Sequence, residues 1–189
     1  TAPTGKQIES PYGIAYDEAT GYVWVPQTRV NKVSVFDPAT NKIIWSSAEG
    51  EVNHPREVRI DPSSGKVFVS GSGGISVFDT TLHALVKKIE FTDAKGESDI
   101  AMNMHVDSAD GKLYVPSLSA GTVKVIDTKR YEVEKTIQLH KDNAEADLNA
   151  SDVTIDKSLK EIYVSSQGDR KGTNSGITVY DLETGAYKK

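Results

Sequence analysis

The sequence predicts an all-β fold, a β-propeller built of four-stranded antiparallel blades, of which about four are present. Three observations lead to this prediction. Pairs of short apolar strands around a small-residue turn occur four times in the 189 residues, and turn aspartates recur about every 45 residues. The strands are rich in Val, Ile, Tyr and Phe, without a sustained helical period. A period of this length with four strands per unit is typical of propeller blades.

The repeated phrase supplies the second and third strands of each blade. Its four copies are "VWVPQTRVNKVSVFD" at 23–37, "VFVSGSGGISVFD" at 67–79, "LYVPSLSAGTVKVID" at 113–127 and "IYVSSQGDRKGTNSGITVYD" at 162–181. In the second copy, the Gly-rich stretch 71–74 stands between two strands and precedes no helix, so it predicts a tight turn rather than a phosphate loop.

Two sets of aspartates close the strand pairs and fix the phase of the repeat. The first set is Asp17, Asp61, Asp107 and Asp156, followed four residues later by Gly21, Gly65, Gly111 and Lys160. The second set is Asp37, Asp79, Asp127 and Asp181. Asp bonds its own following backbone and Gly supplies a positive φ, so both sets predict tight turns. In the second repeat the four strands are predicted at about 57–60, 66–70, 75–78 and 85–89.

The whole chain is interpreted as a single propeller segment. Its repeats are predicted at approximately 10–46, 54–90, 102–138 and 151–189, with 1–9 as the end of a preceding blade. Because the chain begins and ends in the same phase, a piece of a larger ring is favoured over a four-bladed ring or two chains that close one ring. An unclosed arc would expose blade edges through which the chain could self-associate.

Composition narrows the function classes. The chain has no cysteine, which excludes disulfides and thiolate chemistry. The formal net charge of −5 opposes binding to duplex nucleic acid, whose phosphates attract basic surfaces. No apolar run is long enough to predict a membrane-spanning segment.

The phrase at 113–127 resembles the YVTN repeat, a WD40-like repeat of β-propellers. Tyr114 and Val115 match it, whereas Pro116 and Ser117 stand where Thr and Asn are usual. The order and spacing of the chain are similar to those of YncE-like bacterial proteins. The resemblance implies a seven-bladed, non-enzymatic propeller of the periplasm, linked to iron-regulated expression and able to bind single-stranded DNA.

Uneven connection lengths indicate where a partner would bind. The turns after the aspartates keep one length, whereas the opposite connections vary, and variable loops on a rigid scaffold tend to carry function. We call the variable side the loop face; its longest connections are 91–103, 140–152 and 166–176. The innermost strands begin there, so polar residues two or four positions before the turn aspartates are predicted to line the channel mouth. The candidate binding residues on the loop face are His54, Arg56, Glu57, Asn103, His105, Asp152, Arg170 and Lys171.

Three of these features have a structural interpretation that requires no ligand or metal. His105 and Asp107 are two residues apart in a strand, so their side chains point the same way and would suit a shared metal ion. The repeated turn position explains Asp107 without a metal, and a structural role is expected. The stretch "NHPRE", with His54, Arg56 and Glu57, is interpreted as a Pro-turned loop with an ion pair rather than an anion site. The acidic stretch 143–149 alternates as a calcium-binding loop does, but it lacks the glycine and glutamate of an EF-hand. A solvated acidic loop is therefore expected.

The sequence therefore predicts a non-enzymatic binding scaffold of the bacterial cell envelope, periplasmic or extracellular, with its protein or small-molecule ligand on the loop face. No cofactor is predicted, and metal binding stays open. One alternative is a metal-dependent, lactonase-like hydrolase that uses Glu57, Asn103 and Asp152. Another is a single-stranded DNA binder that uses Arg170 and Lys171; Trp24 and Trp45 lie in predicted strands, where packing between blades accounts for them.

Overall fold

Strands form in this chain where apolar side chains alternate between turn residues. The structure is a computed structural model that describes residues 9–93, 95–139, 149–168 and 175–189. Within these ranges the backbone forms fifteen β-strands and one 3-10 turn, Thr28–Val30. The same ranges contain no helix with the length and apolar character needed to cross a membrane.

The chain divides into two compact units, unit 1 (Thr1–Glu90) and unit 2 (Phe91–Lys189). Unit 1 contains two four-stranded antiparallel sheets, each with its strands in chain order. Sheet 1 consists of β1 (Ala15–Asp17), β2 (Tyr22–Gln27), β3 (Lys32–Asp37) and β4 (Lys42–Ser46). Sheet 2 consists of β5 (Val58–Asp61), β6 (Lys66–Gly71), β7 (Gly74–Asp79) and β8 (Leu85–Glu90).

Unit 2 contains one four-stranded and one three-stranded antiparallel sheet. Sheet 3 consists of β9 (His105–Asp107), β10 (Lys112–Ser117), β11 (Thr122–Asp127) and β12 (Glu132–Gln138). Sheet 4 consists of β13 (Ala150–Asp156), β14 (Glu161–Ser166) and β15 (Gly176–Asp181). After β15 the chain turns at Gly185, where φ is 76°, and Tyr187 pairs with Tyr180 of β15.

The all-β class and the four-stranded antiparallel blade are confirmed. In sheet 2 the strands coincide with the predicted ones to within a residue at each end. The tight turn predicted at 71–74 is also confirmed, since Gly71 and Gly74 pair directly and end the β6–β7 hairpin. Turns after the aspartates keep four or five residues, as between β1 and β2, whereas the β8–β9 and β12–β13 connections are longer.

The predicted turn chemistry recurs in all eight aspartate turns. Each carboxylate accepts hydrogen bonds from backbone N–H groups two or three residues later; for example, Asp37 accepts from Ala39 N at 2.8 Å and Asp156 accepts from Ser158 N at 2.8 Å. The others are Asp17, Asp61, Asp79, Asp107, Asp127 and Asp181. The hydroxyls of Thr40 and Ser158 also donate to Asp37 and Asp156. These hydroxyl bonds are the main reason, and the backbone bonds a further one, why the pKa of each carboxylate lies below its ordinary value.

A hydrophobic core lies between the two sheets of each unit. In unit 1, Trp24 and Val33 of sheet 1 pack with Val58, Val67 and further residues of sheet 2. The rings of Trp24 and Trp45 lie beside the Phe78 ring, at centroid distances of 6.1 and 5.8 Å, so packing between blades does account for both tryptophans. In unit 2 the corresponding core joins sheets 3 and 4, and its members include Tyr114, Val123, Val153 and Ile162.

Candidate functional site

Unit 2 brings three of the predicted site residues together on the innermost segments of sheets 3 and 4. Asn103 lies just before β9, His105 is the first residue of β9, and Asp152 lies in β13. Asn103 Nδ2 donates to Asp152 Oδ2 over 3.5 Å, and two residues further along each strand His105 Nδ1 lies 3.3 Å from Thr154 Oγ1. We call Asn103, His105, Asp152 and Thr154 the polar cluster.

Strand alternation places these four side chains on the same side. Met104 and Val153, which separate them, are buried, because successive side chains of a strand point to opposite faces. The two segments are also joined by the backbone, since Asn103 N donates to Ser151 O at 3.1 Å. The spacing of the cluster is therefore set by buried apolar residues and the main chain, and does not depend on its own side-chain contacts.

The side-chain contacts of the cluster are long. The commonest N–H···O distance is about 2.9–3.0 Å, and hydrogen bonds near 3.5 Å are weak. Asp152 Oδ1 also accepts from Val153 N at 2.8 Å, which fixes the carboxylate orientation. Asp152 and Thr154 are exposed, and Asn103 and His105 are half-buried. A polar ligand could replace these contacts at small cost.

A shallow cavity of about 230 Å³ opens beside the cluster, on the face of sheet 4. Its lining consists of Asp152, Val153, Thr154, Tyr163, Ser165 and Ile177. The Tyr163 hydroxyl donates to Glu161 Oε2 at 2.5 Å, and this hydrogen bond raises the pKa of Tyr163 and lowers that of Glu161. The tyrosine ring is thereby held as a fixed wall of the cavity.

Asp107 belongs to the turn rather than to the cluster. Lys157 Nζ lies 2.8 Å from its Oδ2 and 2.8 Å from Asp110 Oδ2. Burial acts to raise the pKa of Asp107, but the hydrogen bonds from Lys157 and the turn backbone, together with the charge of Lys157, outweigh it, so this pKa is lowered. The same hydrogen bond to Asp107 raises the pKa of Lys157. These contacts agree with the structural interpretation of Asp107.

His54, Arg56 and Glu57 lie in unit 1, on the connection between β4 and β5. The loop is anchored by its backbone: Thr28 Oγ1 donates to Pro55 O at 2.7 Å, and His54 N donates to Asn31 Oδ1 at 2.7 Å. Glu57 is 7% exposed, and its Oε1 lies 2.5 Å from Arg59 Nη2. The ion pair joins Glu57, which is buried, to Arg59 of β5, a residue outside the stretch 53–57.

Other predicted features cannot be placed. Arg170, Lys171 and residues 143–148 of the acidic stretch lie outside the described residues. Among the residues that are described, no three His, Asp or Glu side chains are grouped as a metal site would require. Metal binding stays open.

Sequence reasoning missed the sheet 4 part of the site. Thr154, Tyr163, Ser165 and Ile177 are not among the candidate residues that the sequence predicts. The repeat itself carries a signal that could have found them. Tyr163 occupies the position of Trp24 and Tyr114, and both of these pack against a following sheet.

Comparison with known proteins shows the fold. The chain is similar to a chain in a solved structure entitled Kuenenia stuttgartiensis hydrazine synthase, with a TM-score of 0.75 and 18% sequence identity. The match covers 98% of this chain and 51% of that chain, so this chain spans about half its length. No protein family model and no curated protein matches the sequence. At this identity the likeness supports the architecture alone: an all-β protein built of propeller-type blades.

Proposed function

We propose that this chain is a non-enzymatic binding scaffold of the bacterial cell envelope, and that its polar cluster binds a small uncharged ligand rich in hydroxyl groups. One observation carries the proposal: four side chains from two sheets meet through contacts of 3.3 and 3.5 Å beside a cavity. Blade sheets form a rigid support for such a site, although a propeller by itself hosts many functions.

The chemistry of the cluster favours hydroxyl groups. The Asp152 carboxylate accepts, the Asn103 amide both donates and accepts, and the Thr154 hydroxyl does the same. Vicinal hydroxyls offer the matching alternation of donors and acceptors. The cavity volume of about 230 Å³ lies below the usual range for drug-sized ligands, about 300–1,000 Å³, which favours a small molecule.

The cellular location in this proposal is supported by the YVTN-like phrase around Tyr114 and Val115 and by the similarity in order and spacing to YncE-like proteins. That resemblance also favours a role without catalysis. The blade architecture is compatible with both expectations, but it is common to many propellers.

The test is a ¹H–¹⁵N NMR titration with D-glucose and with D-glucono-1,5-lactone. We expect saturable shifts at Asn103, His105, Asp152 and Thr154, weakened at least about tenfold in Asp152→Ala, since a hydrogen bond to a charged group contributes about 1.5–3 kcal/mol. Glu18→Ala, which removes an exposed carboxylate in the β1–β2 turn, is the matched control and should bind normally. Absence of saturable shifts with both sugars would contradict the proposal.

Two further assays distinguish the alternatives. Hydrolysis of the lactone that requires Ca²⁺ and is lost in both Glu57→Ala and Asp152→Ala would indicate the lactonase-like hydrolase. Binding of an oligothymidylate that weakens as salt rises and depends on Arg170 would indicate the single-stranded DNA binder. The net charge of −5 opposes the latter outcome.

A further inference from the structure

His83, in the turn between β7 and β8, places its ring among aromatic side chains of sheet 1. The ring centroid lies 5.7 Å from that of Trp45, 5.6 Å from that of Trp24 and 6.0 Å from that of Tyr22. Trp24 is fully buried and belongs to the core that joins sheets 1 and 2. His83 therefore docks a turn of sheet 2 onto sheet 1.

The turn directs this repeat position towards the preceding sheet. His83 stands four residues after Asp79, and its backbone is left-handed, with φ of 52°. The equivalent residue of sheet 4 is Gly185, also left-handed, with φ of 76°. A Cβ at Gly185 would lie 3.3 Å from Lys135 Cε, and Lys135 holds in sheet 3 the register position that Trp45 holds in sheet 1. The same contact between neighbouring sheets is thus made by a titratable ring in unit 1 and by a glycine in unit 2.

The surroundings of the His83 ring suit a neutral imidazole better than a charged one. Its Nε2 is buried and has no hydrogen-bond partner among the residues that the structure describes. A neutral histidine leaves one ring nitrogen without a proton, whereas the protonated ring carries an N–H on both nitrogens. In the docked position a protonated ring would hold a charged N–H among apolar rings without an acceptor, which is unfavourable.

Neighbouring charges do not remove this penalty. The Asp79 charge favours the protonated ring, but burial has the larger effect, so the pKa of His83 is lowered. Asp79 is itself paired with Lys66, whose Nζ lies 3.0 Å from its Oδ2. The other charged or titratable groups on the strands that pack around His83 are Tyr22 of β2, Lys42 of β4, and Lys87, Lys88 and Glu90 of β8. The lysines disfavour a further positive charge.

We propose that His83 is a pH-sensitive latch: its neutral ring docks the β7–β8 turn onto sheet 1, and protonation releases it. Release would uncover the faces of Trp45 and Tyr22, which are half-buried in the docked state. The change is local, because the Asp79 carboxylate accepts from the N–H groups of Thr81 and Leu82, each at 2.9 Å, whichever state the ring adopts.

Linkage gives the direction and the size of the effect. A released histidine takes up a proton near pH 6.5, whereas the docked ring does so only at lower pH. The docked turn is therefore fully favoured above about pH 6.5. Below it, the ratio of released to docked turns should rise about tenfold for each pH unit, until the docked ring is protonated as well.

Tryptophan fluorescence between pH 7.5 and 5 tests the latch directly. The chain has two tryptophans, Trp24 and Trp45, and both lie against His83. We expect their emission to change with a midpoint below about pH 6.5 while far-ultraviolet circular dichroism stays constant. Quenching by iodide should increase over the same range, as Trp45 becomes exposed. The His83 ring protons, followed by ¹H–¹³C NMR, should titrate with the same midpoint.

Two variants separate the ring from its proton. His83→Phe keeps an aromatic ring but does not titrate, so its emission should stay at the docked level at every pH. His83→Asn tolerates the left-handed backbone and has no ring, so its emission should stay at the released level. His54→Asn is the matched control, since His54 is an exposed, left-handed histidine of the same unit, with φ of 44°. This variant should titrate like wild type.

Three results would overturn the proposal. The first is wild-type emission that does not change down to pH 5. The second is a change that persists in His83→Phe and His83→Asn. The third is a change that coincides with loss of the circular dichroism signal, since the whole fold would then be lost rather than one contact. The ligand proposal is read from shifts in unit 2 and is tested above the pH of release, so the two proposals fail separately.

Discussion

Asp99 is a buried carboxylate, 1% exposed, on the long connection between β8 and β9. It accepts from Ser117 Oγ at 2.5 Å and from the backbone N–H groups of Ser119 and Ala120, each at 2.9 Å. Burial acts to raise the pKa of Asp99, but these hydrogen bonds outweigh it and the pKa is lowered. The residue therefore fastens the connection to the β10–β11 turn in its ionised form.

Replacing Asp99 should destabilise the protein. Asp99→Ala leaves the Ser117 hydroxyl and the N–H groups of Ile100, Ser119 and Ala120 without this acceptor, and each unsatisfied buried group costs about 1–3 kcal/mol. We expect the free energy of unfolding to fall by at least about 2 kcal/mol, measured by urea denaturation at pH 7. Asp93→Ala, which removes an exposed acceptor on the same connection, should cost less. Equal losses in both variants would contradict this role.

His83 makes the stability of the protein depend on pH. Its ring lies against Trp24 and Trp45, with centroid distances of 5.6 and 5.7 Å. Burial lowers the pKa of His83 and outweighs the opposite effect of the Asp79 charge. Because the unfolded chain takes up the proton more readily, stability is complete above a pH of about 6.5 and declines as pH falls.

The measurement is the melting temperature of wild type and His83→Asn between pH 7.5 and 5. Asn tolerates the left-handed backbone of this position, where φ is 52°, but it does not titrate. As pH falls, we expect the melting temperature of the wild type to decrease more than that of the variant. Parallel pH curves for the two proteins would show that His83 is not responsible.

At the scale of elements, the first set of aspartate turns has glycine four residues after the aspartate in three turns and lysine in the fourth. Gly111 in the β9–β10 turn has φ of 63°, and Lys160 occupies the same left-handed position in the β13–β14 turn, with φ of 54°. A side chain in this conformation costs about 1–2 kcal/mol, and glycine avoids the cost. Lys160 does pair with Glu183 at 2.8 Å, but both side chains are exposed, and such pairs contribute little.

We therefore expect Lys160→Gly to raise the urea midpoint of unit 2 and Gly111→Ala to lower stability by about 1–2 kcal/mol. A Cβ at Gly111 would lie 3.5 Å from Thr128 Oγ1, an ordinary contact, so the cost comes from the backbone conformation. Circular dichroism during urea unfolding measures both variants. A lower midpoint for Lys160→Gly would mean that the Glu183 pair outweighs the backbone strain.

Local patterns explain why the strands and turns could be predicted. Asp, Gly and alternating apolar residues act within a few positions, so sheet 2 was placed almost to the residue. The role of Asp99 escaped because its partners, at Ser117–Ala120, are about 20 residues away and meet it only in the fold.

The polar cluster was predicted in part for the same reason. Repeat phase placed Asn103, His105 and Asp152 at corresponding strand positions, which is local information. Their mutual contacts join residues 49 positions apart and depend on the packing of sheet 3 against sheet 4. Nothing in the local pattern distinguishes Glu57, which is buried and pairs with Arg59, from Asp152, which is exposed.

At the scale of the whole molecule, each unit has its own hydrophobic core, centred on Trp24 in unit 1 and on Tyr114 in unit 2. In repeat proteins, stability is approximately a sum of local terms, so a substitution acts first on its own repeat and neighbours. The chain has two tryptophans, and both Trp24 and Trp45 lie in unit 1. Tryptophan fluorescence therefore reports unit 1, whereas far-ultraviolet circular dichroism reports the strands of both units.

Gly65→Ala and Gly111→Ala form a matched pair for testing this independence. Both glycines have φ of 63°, and an added Cβ would lie 3.6 Å from Thr80 Oγ1 at Gly65 and 3.5 Å from Thr128 Oγ1 at Gly111. In urea we expect Gly65→Ala to lower the fluorescence midpoint, and Gly111→Ala to lower the circular dichroism midpoint while moving fluorescence less. If both variants shift both signals equally, the two units unfold as one cooperative body, and the local account of stability is wrong for this chain.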